Sequence, residues 1–61
     1  MTTAAQRQSM RAEYLAARDR STRAAHLGDY TGSIIAASAA RNVLHRMIAA
    51  VEADVMERAA R

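Results

Sequence analysis

The aliphatic side chains in the second half of the chain recur with the period of an α-helix. Between residues 30 and 58 they are separated by three, four or seven positions, which places them on one side of a helix. We call this set the aliphatic stripe, and its members are Ile34, Ala37, Leu44, Ile48, Val51 and Val55. Because the stripe holds most of the large aliphatic residues, the sequence predicts that the core is built on it.

A weaker apolar pattern runs through the first half of the chain. Its members follow one another in alternating steps of four and three, and they are Met10, Tyr14, Ala17, Ser21 and Ala24. This spacing is typical of a helix that packs lengthwise against another helix. The side chains shrink to Ser and Ala along the series, which lets two helices approach closely at that end.

Capping signals mark where each helix begins and ends. Thr3 followed three residues later by Gln6 fits a capping box at the start of the first helix. Gly28 is typical of a helix C-terminus because glycine adopts a left-handed conformation without a Cβ clash. Asp29 is a favourable N-cap for a second helix.

These signals predict an all-α fold with a single domain. Helix 1 is expected over residues 4–27, the turn at 28–29, and helix 2 over residues 30–59. A connection this short makes consecutive helices antiparallel neighbours, so the fold class is a two-helix hairpin.

The turn resembles the turn inside a tetratricopeptide repeat. Gly28, Asp29 and Tyr30 are followed by small residues, among them Ser33 and Ala40, over about a dozen positions. One such repeat does not form a solenoid. The resemblance therefore implies a helical hairpin and no more.

Composition indicates that the hairpin needs a partner. Sixteen of the 61 residues are Ala, whose side chain buries little apolar area, and no cysteine is present to form a disulfide. We therefore expect a homodimer that forms a four-helix bundle, or a complex with a partner protein. The predicted interface residues are Met10, Tyr14, Ala17, Ile34, Ala37, Leu44, Met47, Ile48, Val51 and Val55.

The basic residues suggest an alternative function. All nine are Arg, and the formal net charge is +3. Arg7, Arg11 and Arg18, which we call the arginine edge, line up along one side of helix 1 and would be duplicated in a dimer to contact phosphates. In length and hairpin form, though not in sequence, this plan is similar to the plasmid RNA-binding protein Rop. Abundant Arg and Ala without Lys is also typical of a GC-rich bacterial or phage genome.

Catalytic and metal chemistry find little support in the sequence. The chain has only two glycines and no glycine-rich phosphate loop. His26 and His45 are predicted on the surface, and Arg41 shares a face with His45, where it would repel a metal ion. We therefore expect no enzyme activity, no cofactor and no metal.

The sequence gives no targeting or membrane signal of the usual kind. The longest uncharged stretch, residues 30–40, is shorter than the roughly 20 apolar residues that span a bilayer. The expectation is a soluble, cytoplasmic protein without a membrane partner. Its predicted role is that of a small protein–protein interaction or assembly module, an adaptor or regulator, with RNA or DNA binding as the alternative.

Overall fold

A computed structural model describes residues 2–61, and within them the chain forms two helices that pack side by side. α1 spans Ala4–His26 and α2 spans Tyr30–Ala59. These bounds lie within one residue of those expected from the capping signals. The hairpin is a slender rod, with extents of 51 × 17 × 9 Å.

The caps form as the sequence predicts. The Thr3 hydroxyl accepts a hydrogen bond from the Gln6 main-chain N–H at 3.1 Å, and Gln6 Oε1 accepts one from the Thr3 N–H at 2.8 Å. Gly28 has a φ of +78°, the left-handed conformation that ends α1. The Asp29 carboxylate accepts from the Gly32 N–H at 2.9 Å and caps α2. Both helix ends at the turn are therefore specified locally.

Gly32 has a reason to be glycine that the sequence does not reveal. A Cβ at this position would collide with the carboxylate of Asp29. The capping side chain thus occupies the space that a larger residue would need. Glycine in a first helical turn lowers helix propensity, and a larger residue here would require the Asp29 carboxylate to move.

α2 contacts α1 through a face that the sequence analysis did not select. The face follows alternating steps of three and four, and we call it the inner face. Its members, all buried or half-buried, are Ser33, Ala36, Ala40, Val43, Met47, Ala50, Asp54 and Glu57. Half of these residues are Ser or Ala, and the buried apolar ones are Ala36, Ala40 and Val43.

The prediction that the core is built on the aliphatic stripe is wrong. The buried hydrophobic residues are Ala17, Ala36, Ala40 and Val43. Leu44 is 37% exposed, Ile48 47% and Val51 57%. Both faces of α2 share one period, and the stripe lies one residue further along, which is a rotation of about 100° around the helix. The buried apolar side chains on the face that meets α1 are small, and small side chains permit a close approach of two helices.

The prediction for α1 is confirmed. Ala17 is buried, and Met10, Tyr14, Ser21 and Ala24 are half-buried on the side that faces α2. Near the turn the Ser21 hydroxyl lies 3.0 Å from the Ser33 carbonyl oxygen and 3.1 Å from the Ser33 hydroxyl. A polar contact thus sits among the small residues where the helices meet.

Candidate interaction surface

The aliphatic stripe forms an apolar surface along the outside of α2. Ile34 and Val55 at its two ends are exposed, and so are the three large residues between them. Monomeric soluble proteins scatter exposed hydrophobic residues singly and rarely align them. Apart from Arg41, which falls between Ala37 and Leu44 at the same spacing and toward one edge of the row, these residues form a surface of the kind that another helix covers.

Each predicted interface residue has a definite place in this geometry. Met10, Tyr14, Ala17 and Met47 are at least half-buried between α1 and α2. The remaining residues are exposed on α2, and they are Ile34, Ala37, Leu44, Ile48, Val51 and Val55. The predicted set thus separates into an internal contact and an external surface.

An open groove between the helices borders the stripe on the α1 side. Tyr14 and Arg18 line it from α1, and Arg41 and Leu44 line it from α2. The Arg18 guanidinium carbon lies 5.6 Å from the centre of the Tyr14 ring, within the range of a cation–π contact. The groove thus carries two arginines, and hydroxyl side chains as well as apolar ones line it.

The arginine edge lies on the same side of the hairpin as this groove. Arg7, Arg11 and Arg18 are all exposed. Arg7 is also held in place, because its Nη1 donates to the Thr2 carbonyl oxygen at 2.8 Å. The edge is thus available to solvent, but it is a short row of three cations.

Ion pairs join half of the remaining charged residues. The Asp19–Arg23 pair is 2.7 Å long, and the Glu57–Arg61 pair is 3.2 Å long. Glu13 on α1 meets Arg46 on α2 at 3.4 Å. These side chains are largely solvated, so each pair contributes at most about 1 kcal/mol to stability.

Asp54 joins the start of the chain to the last third of α2. Its Oδ1 accepts a hydrogen bond from the Thr2 main-chain N–H at 3.0 Å and lies 3.4 Å from the Thr2 hydroxyl. The spacing of Asp54 and Arg58 favours an ion pair, but within residues 2–61 the carboxylate is bound by Thr2 instead. The main-chain N–H of Thr2, then its hydroxyl and the charge of Arg7, lower the pKa of Asp54 although burial opposes them. The contact between Asp54 and Thr2 thus favours the ionised carboxylate.

The described part of the chain offers no built metal site. Across residues 2–61 no three His, Asp or Glu side chains come together in a way that could hold a metal ion. His26 and His45 are exposed on separate helices. The two wide grooves between α1 and α2 are open to solvent.

α2 passes a length and composition test for a membrane span, which the shorter uncharged stretch did not suggest. An 18-residue window within Tyr30–Ala59 has a mean hydropathy of 1.2, and 17% of it is buried. Core helices and signal sequences pass the same test. Arg41 and Arg46 lie near the middle of α2, and each would cost about 2.5–3.5 kcal/mol at a bilayer centre. A soluble cytoplasmic protein remains a prediction.

Comparison with known proteins gives no guide to function. No protein-family model, curated protein or solved structure matches this chain.

Proposed function

We propose that this chain is a small, non-enzymatic assembly module whose hairpin pairs with a second copy through the aliphatic stripe. Two hairpins joined in this way form a four-helix bundle. Such a bundle serves as an adaptor, regulator or assembly subunit for other proteins. The observation that supports the proposal is the position of the large aliphatic residues. α1 packs on the inner face of α2, so it leaves the stripe exposed on the outside of the hairpin.

The surface area supports a partner of the size of the chain itself. A compact monomer of this mass exposes roughly 3,900 Å², whereas the hairpin exposes 4746 Å². The surplus of about 900 Å² is close to the roughly 800 Å² that each partner buries in a standard protein–protein interface. One copy of the hairpin is long enough to cover the stripe along its length.

The spacing of the stripe supports a helix as the covering element. Its members are three, four or seven residues apart, the spacing that fits side chains into the gaps of a facing helix. A second α2 has the same spacing and the same shape. An isologous pair, in which one surface meets its own copy, therefore uses the stripe on both sides.

Sedimentation equilibrium at micromolar concentrations tests the proposal. The wild-type chain is expected to be a dimer. Ile48→Asp is expected to be a helical monomer, because dimerisation would bury the new carboxylate in the interface without a partner. Ile35→Asp is the matched control, since Ile35 is exposed but lies off the stripe, and it should remain dimeric. A wild-type chain that stays monomeric throughout would overturn the proposal.

RNA or DNA binding is the second candidate, and the exposure of the arginine edge supports it. A dimer carries the three arginines twice, which gives six cations for contact with phosphates. Binding of mixed-sequence RNA or duplex DNA should then weaken steeply as salt rises. Arg11→Ala should reduce binding at low salt, while Arg23→Ala, which removes an arginine already paired with Asp19, should not. Absence of binding at low salt would exclude this candidate.

A further inference from the structure

Glu52 is the one acidic residue without a partner among residues 2–61. Each of the other five carboxylates has a hydrogen bond or ion pair within the chain, and these residues are Glu13, Asp19, Asp29, Asp54 and Glu57. Glu52 is exposed on α2 next to Val51. An unpaired carboxylate at the edge of an apolar surface is well placed to meet a cation from a partner.

Arg41 is the corresponding unpaired cation on the same side of α2. It is exposed, and no acidic side chain within the described residues binds it. Eleven residues separate Arg41 from Glu52, which is close to three helical turns, so both lie on one flank of the stripe. They are about 16 Å apart along the helix axis and cannot meet within one chain.

We propose that two copies pair antiparallel along α2, with Arg41 of each copy beside Glu52 of the other. This inference rests on the proposed self-association and adds its direction and its axial register. In an antiparallel pair with two-fold symmetry, each flank of one α2 faces the same flank of the other. Both Arg41–Glu52 pairs therefore form together when the symmetry axis passes between residues 46 and 47.

The apolar side chains fit the same register. With the axis between residues 46 and 47, Leu44 of one copy lies at the level of residue 49 of the other. It therefore falls between Ile48 and Val51 of the second copy, and the symmetric contact repeats on the other side of the axis. Interdigitation of this kind is how side chains fill the gaps of a facing helix.

Other arrangements are disfavoured by the same charges. If the two α2 helices ran parallel with two-fold symmetry, the flank that carries Arg41 and Glu52 would lie on opposite sides of the interface in the two copies, and both residues would be left without partners. An antiparallel pair shifted along its axis leaves both residues without partners. Charges at an interface rim contribute mainly to specificity, because an arrangement that leaves them unpaired is weaker than one that pairs them. The two residues thus select one direction and one register.

The arginine edge does not oppose this arrangement. Two-fold symmetry places both α1 helices on one side of the dimer. The inner face and the stripe are separated by about 100°, which is more than the right angle of a square bundle. The two α1 helices are therefore splayed, and their arginines stay in solvent, where salt screens their repulsion over about 10 Å.

Charge reversal with mixing tests the inference. Arg41→Glu alone and Glu52→Arg alone each turn two attractive contacts into two repulsive ones, so each dimer should weaken about tenfold. An equimolar mixture of the two variants should restore association. In the mixed dimer the introduced carboxylate of one chain meets the introduced guanidinium of the other, and the unchanged Arg41 of the second chain meets the unchanged Glu52 of the first. Arg20→Glu is the control for net charge, since Arg20 is exposed on the other side of the hairpin, and it should leave association unchanged.

The measurement is sedimentation or native mass spectrometry of each variant and of the mixture. Recovery of wild-type affinity in the mixture supports the antiparallel register. A dimer that is unaffected by either reversal, or a mixture no tighter than its components, overturns the register but leaves self-association standing. A wild-type chain that is monomeric overturns both.

Discussion

The two faces of α2 share one helix and one spacing, yet they differ in what they hold. The inner face is made chiefly of small residues and is buried against α1. The aliphatic stripe carries larger side chains and is exposed. The comparison shows that the largest apolar side chains need not define the internal contact of a hairpin. In this hairpin the face with the smaller residues makes the contact within the chain, and small residues allow a close approach of the backbones.

The difference also separates two kinds of stability. Burial of Ala saves little apolar surface, so the inner face supplies geometry more than free energy. Large aliphatic side chains release more free energy per residue when they are covered, about 1.5–3 kcal/mol each on full burial. Substitutions on the inner face should therefore affect the hairpin itself, and those on the stripe should affect its association.

The sharpest test compares Val43→Asp with Leu44→Asp, which change neighbouring residues. Val43 is 6% exposed, so a carboxylate there would be buried without a partner and should cost more than about 4 kcal/mol. Circular dichroism should then show loss of most helical signal. Leu44→Asp should retain helix but show a melting temperature that no longer rises with protein concentration.

Two results would contradict the assignment of the faces. One is a folded hairpin in Val43→Asp, and the other is a Leu44→Asp chain that unfolds as completely as Val43→Asp even at high concentration. The second result would restore the original sequence-based view that the stripe builds the core.

A smaller effect is expected from enlarging Ala40 rather than Ala37. Ala40 is buried where α2 meets α1, so Ala40→Leu should force the helices apart and cost about 1–3 kcal/mol. Ala37 lies on the stripe and is exposed, so Ala37→Leu should be neutral or should tighten the dimer. Thermal melts at matched concentrations check the pair, and equal losses in both variants would argue against the distinction between the faces.

The smallest effect on stability at neutral pH is expected for loss of the Asp54–Thr2 contact. The contribution of this contact to stability should depend on pH in the acidic range. The folded-state pKa of Asp54 lies below its ordinary value, so the stabilisation is complete above about pH 4, the unfolded value. It should fade as the pH falls through the folded-state pKa. Asp54→Asn should lose this part of the pH dependence, as followed by thermal melts from about pH 6 to about pH 2. Parallel curves for both chains would rule out the contribution.

The ends of the helices were predictable because their causes are local. Thr3 with Gln6 and Gly28 with Asp29 act over three or four residues, and sequence spacing alone identifies them. The face that meets α1 was not predictable in the same way, because period cannot distinguish two stripes that share it. Ranking by side-chain size selected the stripe with Leu44 over the face with Val43.

The candidate site was predictable only in part for a similar reason. The stripe residues follow from spacing, but the partnerless state of Glu52 depends on which carboxylates find partners elsewhere in space. The Asp54–Thr2 contact joins residues 52 positions apart, and no local pattern in the sequence indicates it. The surface charges that are left to bind a partner can be identified only after these internal pairings are known.

The Ser21–Ser33 contact has a consequence for the whole rod. Two helix faces made of Ala have no large side chains that interlock. Such helices can shift along each other with little change in packing. The hydrogen bonds between Ser21 and Ser33 cross the surface between the two helices and fix the axial position of α1 relative to α2. That axial position determines which residues of α1 lie beside which residues on the outer side of α2. The position of the arginines beside the apolar row is thus fixed by a contact inside the hairpin, near the turn.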